Sequence, residues 1–202
     1  MTSLGSAASV TRTAEQTDLA RFHTEPPPRF WTRNMRRFAS DGRSVLEHAR
    51  LMAMLWIAQA DATLACFDSK YHFNFWRPTS AIQLAGTDGN PATAEDAAWA
   101  PVVPTPNHPE YPAAHACNAA AVAAVLERYF GSSKVAFTID SGVASLTKPV
   151  FRYRKTGDFV SDVKNARVFG GMHYRNSVND GATLGTRVGN YIARNYFRRK
   201  HD

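Results

Sequence analysis

Cysteine is scarce in this 202-residue chain. Cys66 and Cys117 are too few for a disulfide framework, form no Cys-x-x-Cys pair, and read as buried thiols. No zinc-type Cys/His spacing is present, and no G-x-x-x-x-G-K-[ST], G-x-S-x-G or H-E-x-x-H motif, which removes P-loop, nucleophile-elbow and zinc-protease chemistry. Internal repeats are missing. Asp88-Gly89-Asn90-Pro91 lacks the spaced carboxylates of a calcium loop and reads as a turn. The start, MTSLGSAASVTRTAEQ, has no continuous apolar stretch of the signal-peptide kind. The most apolar run, residues 51–66, is short for a membrane span and contains Gln59 and Asp61, so it reads as a buried core helix. A soluble protein is expected, cytoplasmic as the sequence stands and periplasmic or secreted if a leader is missing.

What is present is ordinary for a globular chain. Hydrophobic residues at 44% and charged residues at 20% supply a core and exclude a disordered or fibrous protein. Lys plus Arg number 24 against 17 Asp plus Glu, a net +7 that favours anionic partners. The Arg-rich stretch 29–37 reads as a solvated helical face, too short to carry nucleic-acid binding.

Along the chain, residues 1–12 are small and polar and are expected to be flexible; residues 13–202 read as one helical domain. Thr13 and Gln16 form a capping box for a helix to Phe22. A second short helix follows the three prolines, through FWTRNMRRFA. The longest helix is expected from Arg43 to Phe73, buried on several sides. Pro78 opens a short helix. Residues 86–111, with five prolines, form a long irregular segment of the kind that carries function. Helix returns over Ala113–Phe130 and stops at Gly131. VAFTID and KPVFRY have modest strand character. Two last helices cover Asp158–Val168 and Val178–Phe197, split by Gly170 and Gly171. The fold class is all-α, a helical bundle.

Three patches pair cationic or imidazole groups with helix ends. In Lys70-Tyr-His-Phe-Asn-Phe-Trp-Arg77-Pro78 two cations stand two helical turns apart. In Pro109-Glu-Tyr-Pro112-Ala-Ala-His115 the helix start offers the free N–H groups of Ala113, Ala114 and His115 to an anion. The positive helix end also keeps His115 easy to deprotonate, which suits acid–base work. In Arg167-Val-Phe-Gly-Gly-Met-His173-Tyr-Arg175 the glycines let a guanidinium and an imidazole converge.

Taken in order, these patches resemble the type 2 phosphatidic acid phosphatase and vanadium haloperoxidase superfamily. Its pattern is K-x6-R-P, P-S-G-H, then S-R-x5-H-x3-D. Lys70, Arg77 and Pro78 match the first block, Pro112 and His115 the second, Arg167 and His173 the third. The flanks KYHFNFWRP and GGMHYR are similar to the soluble haloperoxidase-like branch. The resemblance implies a helical bundle of the haloperoxidase/acid phosphatase type and an oxyanion pocket of Lys70, Arg77, Arg167 and the N–H groups of Ala113 and Ala114. In a haloperoxidase, His173 would bind vanadate, His115 would manage protons, and Lys70 would polarise peroxide as halide is oxidised. In a metal-free acid phosphatase, with no cofactor, His173 would form a phosphohistidine from a phosphate ester and His115 would protonate the leaving alcohol.

The departures are specific. Ala113 and Ala114 replace Ser and Gly, Ala166 replaces the Ser before Arg167, and Ser177 stands where the family Asp would orient the nucleophilic imidazole. Asp180, one turn on, is a candidate substitute, with Ser177 as possible support. These losses leave a third alternative, a non-catalytic oxyanion-binding scaffold. Soluble relatives carry a helical region before the part matched here, so exposed apolar surface covered by a second copy, a homodimer, is expected. His72 and His108, beside the motifs, are read as packing or turn residues, with shaping of a halide or substrate pocket the alternative; Phe73, Phe75 and Trp76 are read as aromatic core, with a pocket wall the alternative.

Overall fold

A computed structural model describes residues 1–39, 42–144 and 146–198. Among the described residues seven α-helices run in order: α1 (Ala14–Phe22), α2 (Pro27–Met35), α3 (Val45–Phe73), α4 (Pro78–Gln83), α5 (Ala114–Phe130), α6 (Thr156–Phe169) and α7 (Arg175–Asn195). The only strands among the described residues, β1 (Phe137–Asp140) and β2 (Val150–Tyr153), form an antiparallel pair between α5 and α6. The all-α bundle and its two weakly strand-like stretches are thus as the sequence reads.

Local chemistry sets the starts. Thr13 and Ser44 cap α1 and α3, each in a reciprocal capping box with Gln16 and Glu47. The last helix begins three residues earlier than expected, at Arg175, so Ser177 lies in its first turn. Of the basic end RRKHD, all but Arg198 lies outside the described residues.

The centre of the bundle is α5. Every residue from Ala116 to Leu126 is buried, and α3, α6 and α7 pack around it. Alanine makes this possible, because small side chains let neighbours approach on all sides. The approach to α7 is the tightest. A Cβ added at Gly181, Gly185 or Gly189 would meet the carbonyl oxygen of Ala113, Cys117 or Ala121 at 2.6, 1.9 and 2.4 Å. Three glycines four residues apart on α7 therefore face a stripe with the same spacing on α5.

Helix α3 corrects one expectation. Its inner face, with Leu51, Met54, Leu55, Ala58, Ala62 and Cys66, joins the core. Its outer face is open: Leu46 is 80% and Leu64 70% exposed, beside Ile57 and Tyr71. One side is buried rather than several. By length and composition the helix could cross a membrane. Its outer face also carries exposed Asp61 and Asp68, and its buried end carries Lys70, a pattern of a bundle helix.

Residues 1–12 hydrogen-bond to the segment around Pro101. Ala7 donates to the Ala100 carbonyl at 2.8 Å, Val102 to that of Gly5 at 3.2 Å, and the Trp99 indole to that of Thr2 at 2.9 Å. Gly171 adopts φ +76°, and the arm packs against it: an added Cβ would lie 2.5 Å from the Gly5 oxygen. The arm thereby braces the turn that carries His173.

Candidate active site

Each of the three patches places its polar groups at one end of the bundle. Lys70 is in the last turn of α3 and Arg77 is the residue before α4. His115 is in the first turn of α5 and Arg167 in the last turn of α6. His173 is in the turn before α7. A cavity of about 440 Å³ opens there, walled by Phe67, Val103, Pro104, Pro106, Met172 and Ala114 and carrying His108, His115, Asn118, Arg167 and His173. The proline-rich segment 86–111 is one of its walls.

His173 is held from both ring nitrogens. Its Nδ1 lies 2.8 Å from Glu110 Oε1, and its Nε2 lies 3.2 Å from Arg77 Nη1. A guanidinium only donates, so Nε2 must accept and Nδ1 carries the proton. In this structure Arg77 Nη1 occupies the Nε2 lone pair, and His173 borders the cavity in the Nδ1–H tautomer that a nucleophile or an oxyanion ligand requires.

Glu110 is the residue that sequence reasoning missed. It is fully buried. Besides His173 it accepts from the Tyr174 N–H at 3.0 Å and from Ser177 Oγ at 2.5 Å. It therefore sits at the N-terminus of α7, where the helix dipole favours an anion. Burial pushes its pKa up, while Ser177, the Tyr174 N–H, Arg77 and Lys70 pull it down. The net direction is up, and the three donors that converge on the carboxyl group oppose it. One signal was available: Glu110 is the only acidic residue between Asp96 and Glu127, and it stands beside the His115 block.

The departures from the expected pattern now have positions. Ser177 supports His173 only through Glu110. Asp180 does not orient His173; it accepts from the Tyr111 hydroxyl at 3.0 Å at the surface. The N–H of Ala113 donates to the Ser177 carbonyl at 3.1 Å and so is not offered to an anion. The Ala113 side chain packs with Ala116, Val168 and Val178 rather than lining the cavity. Ala114 lines it. His108 is more than packing: it borders the cavity, and its Nδ1 lies 3.1 Å from Arg77 Nη2. Phe73, Phe75 and Trp76 are partly exposed rather than core, and His72 is exposed.

The three cations are buried together. Lys70 Nζ donates to the carbonyls of Pro109 and Glu110, each at 2.8 Å. Arg77 donates to the carbonyls of His108 at 3.1 Å and Met172 at 2.9 Å. Arg167 donates from Nη1 to the His23 carbonyl at 3.1 Å, and its buried Nε has no partner. Lys70 and Arg77 thus stand behind the wall, and Arg167 reaches the cavity itself. Burial draws Lys70 down to about 8, Arg77 to about 10 and Arg167, with Arg77 nearby, to about 9. Burial, then the neighbouring cations, also holds His115 and His173 well below the ordinary imidazole range, so both are neutral. Glu110 is the one buried carboxylate at this cluster. Buried charges are normally matched, so three cations against one carboxylate, with a guanidinium N–H unpaired at a cavity, is a site shaped for an anion. Among the described residues no group of three or more His, Cys, Asp or Glu is placed to hold a metal cation.

A protein-family model described as the VCPO second helical-bundle domain matches residues 50–200. The chain belongs to that family. The vanadium chloroperoxidase of Curvularia inaequalis is 32% identical over 124 residues, 52% of this chain and 20% of that protein. The structure of a bacterial vanadium-dependent iodoperoxidase superposes with a TM-score of 0.76 and 25% identity, over 90% of this chain and 44% of that one. A holo-type bacterial vanadium-dependent chloroperoxidase superposes with a TM-score of 0.74 at 21% identity, over 93% of this chain and 45% of its own, a likeness of fold. The chain therefore spans a fifth of the curated relative and under half of these solved relatives. It belongs to the haloperoxidase-like branch of the superfamily, with the fold of its second bundle.

Proposed function

We propose that this chain carries the oxyanion site of a vanadate-dependent haloperoxidase that oxidises halide with hydrogen peroxide. The observation that carries the reading is His173 at the wall of a cavity, its tautomer set by Glu110 and Arg77, beside three buried cations. Vanadate is the tetrahedral anion that the relatives' names point to, and the residues present fit it. His173 Nε2 would hold it in place of its bond from Arg77 Nη1, Arg167 would bond it directly, and Lys70 and Arg77 would offset its charge from behind. When bound, it supplies a Lewis-acidic centre at which peroxide becomes reactive toward halide.

The chain's own part is proton handling and exclusion of water. Oxidation of a halide by peroxide consumes one proton and releases water. His115 lines the cavity in neutral form, ready to take a proton from an entering molecule and return it to a departing one. Glu110 keeps the His173 proton on Nδ1 throughout. The apolar wall of Phe67, Val103, Met172 and the prolines keeps bulk water from weakening these interactions.

Bromide- and peroxide-dependent bromination of a phenolic dye by vanadate-loaded protein tests the reading, with His173→Ala as control. Activity lost in the variant is expected. Hydrolysis of a phosphate ester without vanadate, also lost in His173→Ala, would instead establish the metal-free phosphatase; neither activity would leave an oxyanion-binding scaffold. We further propose that a second copy covers the outer face of α3. Sedimentation velocity should show a dimer that Leu64→Glu dissociates, and a monomer at micromolar concentration would refute it.

A further inference from the structure

A second, much smaller cavity lies on the far side of His115. It has a volume of about 20 Å³, room for a single water by the usual measure, and its polar lining is His23, Glu25, His115 and Asn118. His115 and Asn118 border both cavities and so stand between them.

His23 has no packing reason to be an imidazole. It caps the end of α1, and its ring lies 4.9 Å from that of Phe22, 6.0 Å from Phe30 and 6.3 Å from Phe159, an aromatic nest that a phenyl ring would fill as well. Its Nε2 is nonetheless buried without a partner, a costly arrangement. The described residues give the His115 ring no side-chain or backbone hydrogen bond either, although an acid–base group needs its tautomer fixed. Asn118 is aligned to help. Its Oδ1 accepts from Thr63 Oγ1 at 3.1 Å, which leaves its amide N–H groups for the cavity side.

We propose that His23 is a positioning residue for His115, joined to it by one buried water that Asn118 and Glu25 help to hold. The chemistry is balanced. Burial and Arg167 keep both rings neutral, so each has one donor and one acceptor nitrogen. A water between them accepts from one ring and donates to the other, which couples the tautomer of His115 to that of His23. The same water gives His115 a path for exchanging its proton on the side away from substrate. The inference rests on the proton-handling role proposed for His115, but its test reads the ring and not turnover.

The first arm is a high-resolution crystal structure of the vanadate-free protein. An ordered water within hydrogen-bond reach of both His23 and His115 is expected, and a dry cavity, or a water that touches only one ring, overturns the proposal. The second arm is long-range 15N correlation of the imidazole rings at pH 8, again without vanadate or peroxide. His23→Phe, which preserves the packing, should change the tautomer ratio of His115 by about fivefold, the weight of one modest hydrogen bond. His23→Gln, whose amide can reach the same water, should restore it. An unchanged ratio in a folded His23→Phe protein refutes the role. Should that variant fail to fold, the crystallographic arm decides. Both arms stay readable if no haloperoxidase activity is found.

Discussion

Glu110 governs the site at the scale of single residues. It orients His173, accepts from the Tyr174 N–H at the start of α7 and is the counter-charge for Lys70 and Arg77. Removing one partner of a buried charge cluster typically costs about 3–5 kcal/mol, because the others stay buried and unmatched. Glu110→Gln, nearly isosteric, should therefore lose stability in that range, read as a lower thermal midpoint. Added phosphate or vanadate should recover more stability in the variant than in the parent, since the anion then replaces a missing charge. Equal midpoints in a thermal melt would mean that Glu110 is not ionised. The residue also shows how a fold tolerates a lost motif position. Ser177 has no carboxylate to give His173, and one arrives instead from the proline-rich segment.

Between elements, the decisive contact is that of α5 with α7. His115 begins one helix and His173 immediately precedes the other, so the distance between those helices sets the distance between the two imidazoles. That separation depends on glycine. Gly185→Ala would gain about 1 kcal/mol of helix propensity. It would also place a Cβ 1.9 Å from the Cys117 oxygen, so the backbones must separate. Overpacking of this kind costs about 1–3 kcal/mol, and the net effect should be a lower denaturant midpoint with weakened anion binding. Gly157→Ala is the control. Nothing lies within 4 Å of an added Cβ there, so it should be neutral or mildly stabilising. Equal midpoints for both variants would show that α5 and α7 can part without cost.

For the whole molecule, buried imidazoles tie stability to pH. His23 is held down at about 3, and His115 and His173 well below 6.5, in each case by burial first. A depressed folded-state pKa means that the unfolded chain takes up protons first as the solution is acidified. The stability is complete above about 6.5 and is lost as pH falls from there toward the folded values. Between pH 6.5 and 5.5 His23 should cost about 1 kcal/mol, and His115 and His173 should add to the loss with the same sign. Glu110, raised by burial, acts with the opposite sign. Urea titrations at the two pH values measure the difference, and a bound oxyanion should shrink it by making protonation of His115 easier. A flat profile would mean that the rings reach solvent.

Much of this was legible in the chain itself. The capping box at Thr13, the alanine run before Gly131 and the spacing of Lys70 to Arg77 and Arg167 to His173 are local signals, because helix starts, stops and face periodicity depend on residues within a few positions of each other. They gave the all-α class, most helix bounds and the five charged or imidazole groups of the site. Four things were decided only by tertiary packing. Glu110 replaces the expected carboxylate across 63 positions of sequence. The N–H of Ala113 is taken by Ser177. His108 and the prolines become a cavity wall, and α3 turns one apolar face outward. None of these follows from near neighbours. Each depends on which distant backbone comes to lie opposite, and the glycine stripe of α7 against α5 settles much of that.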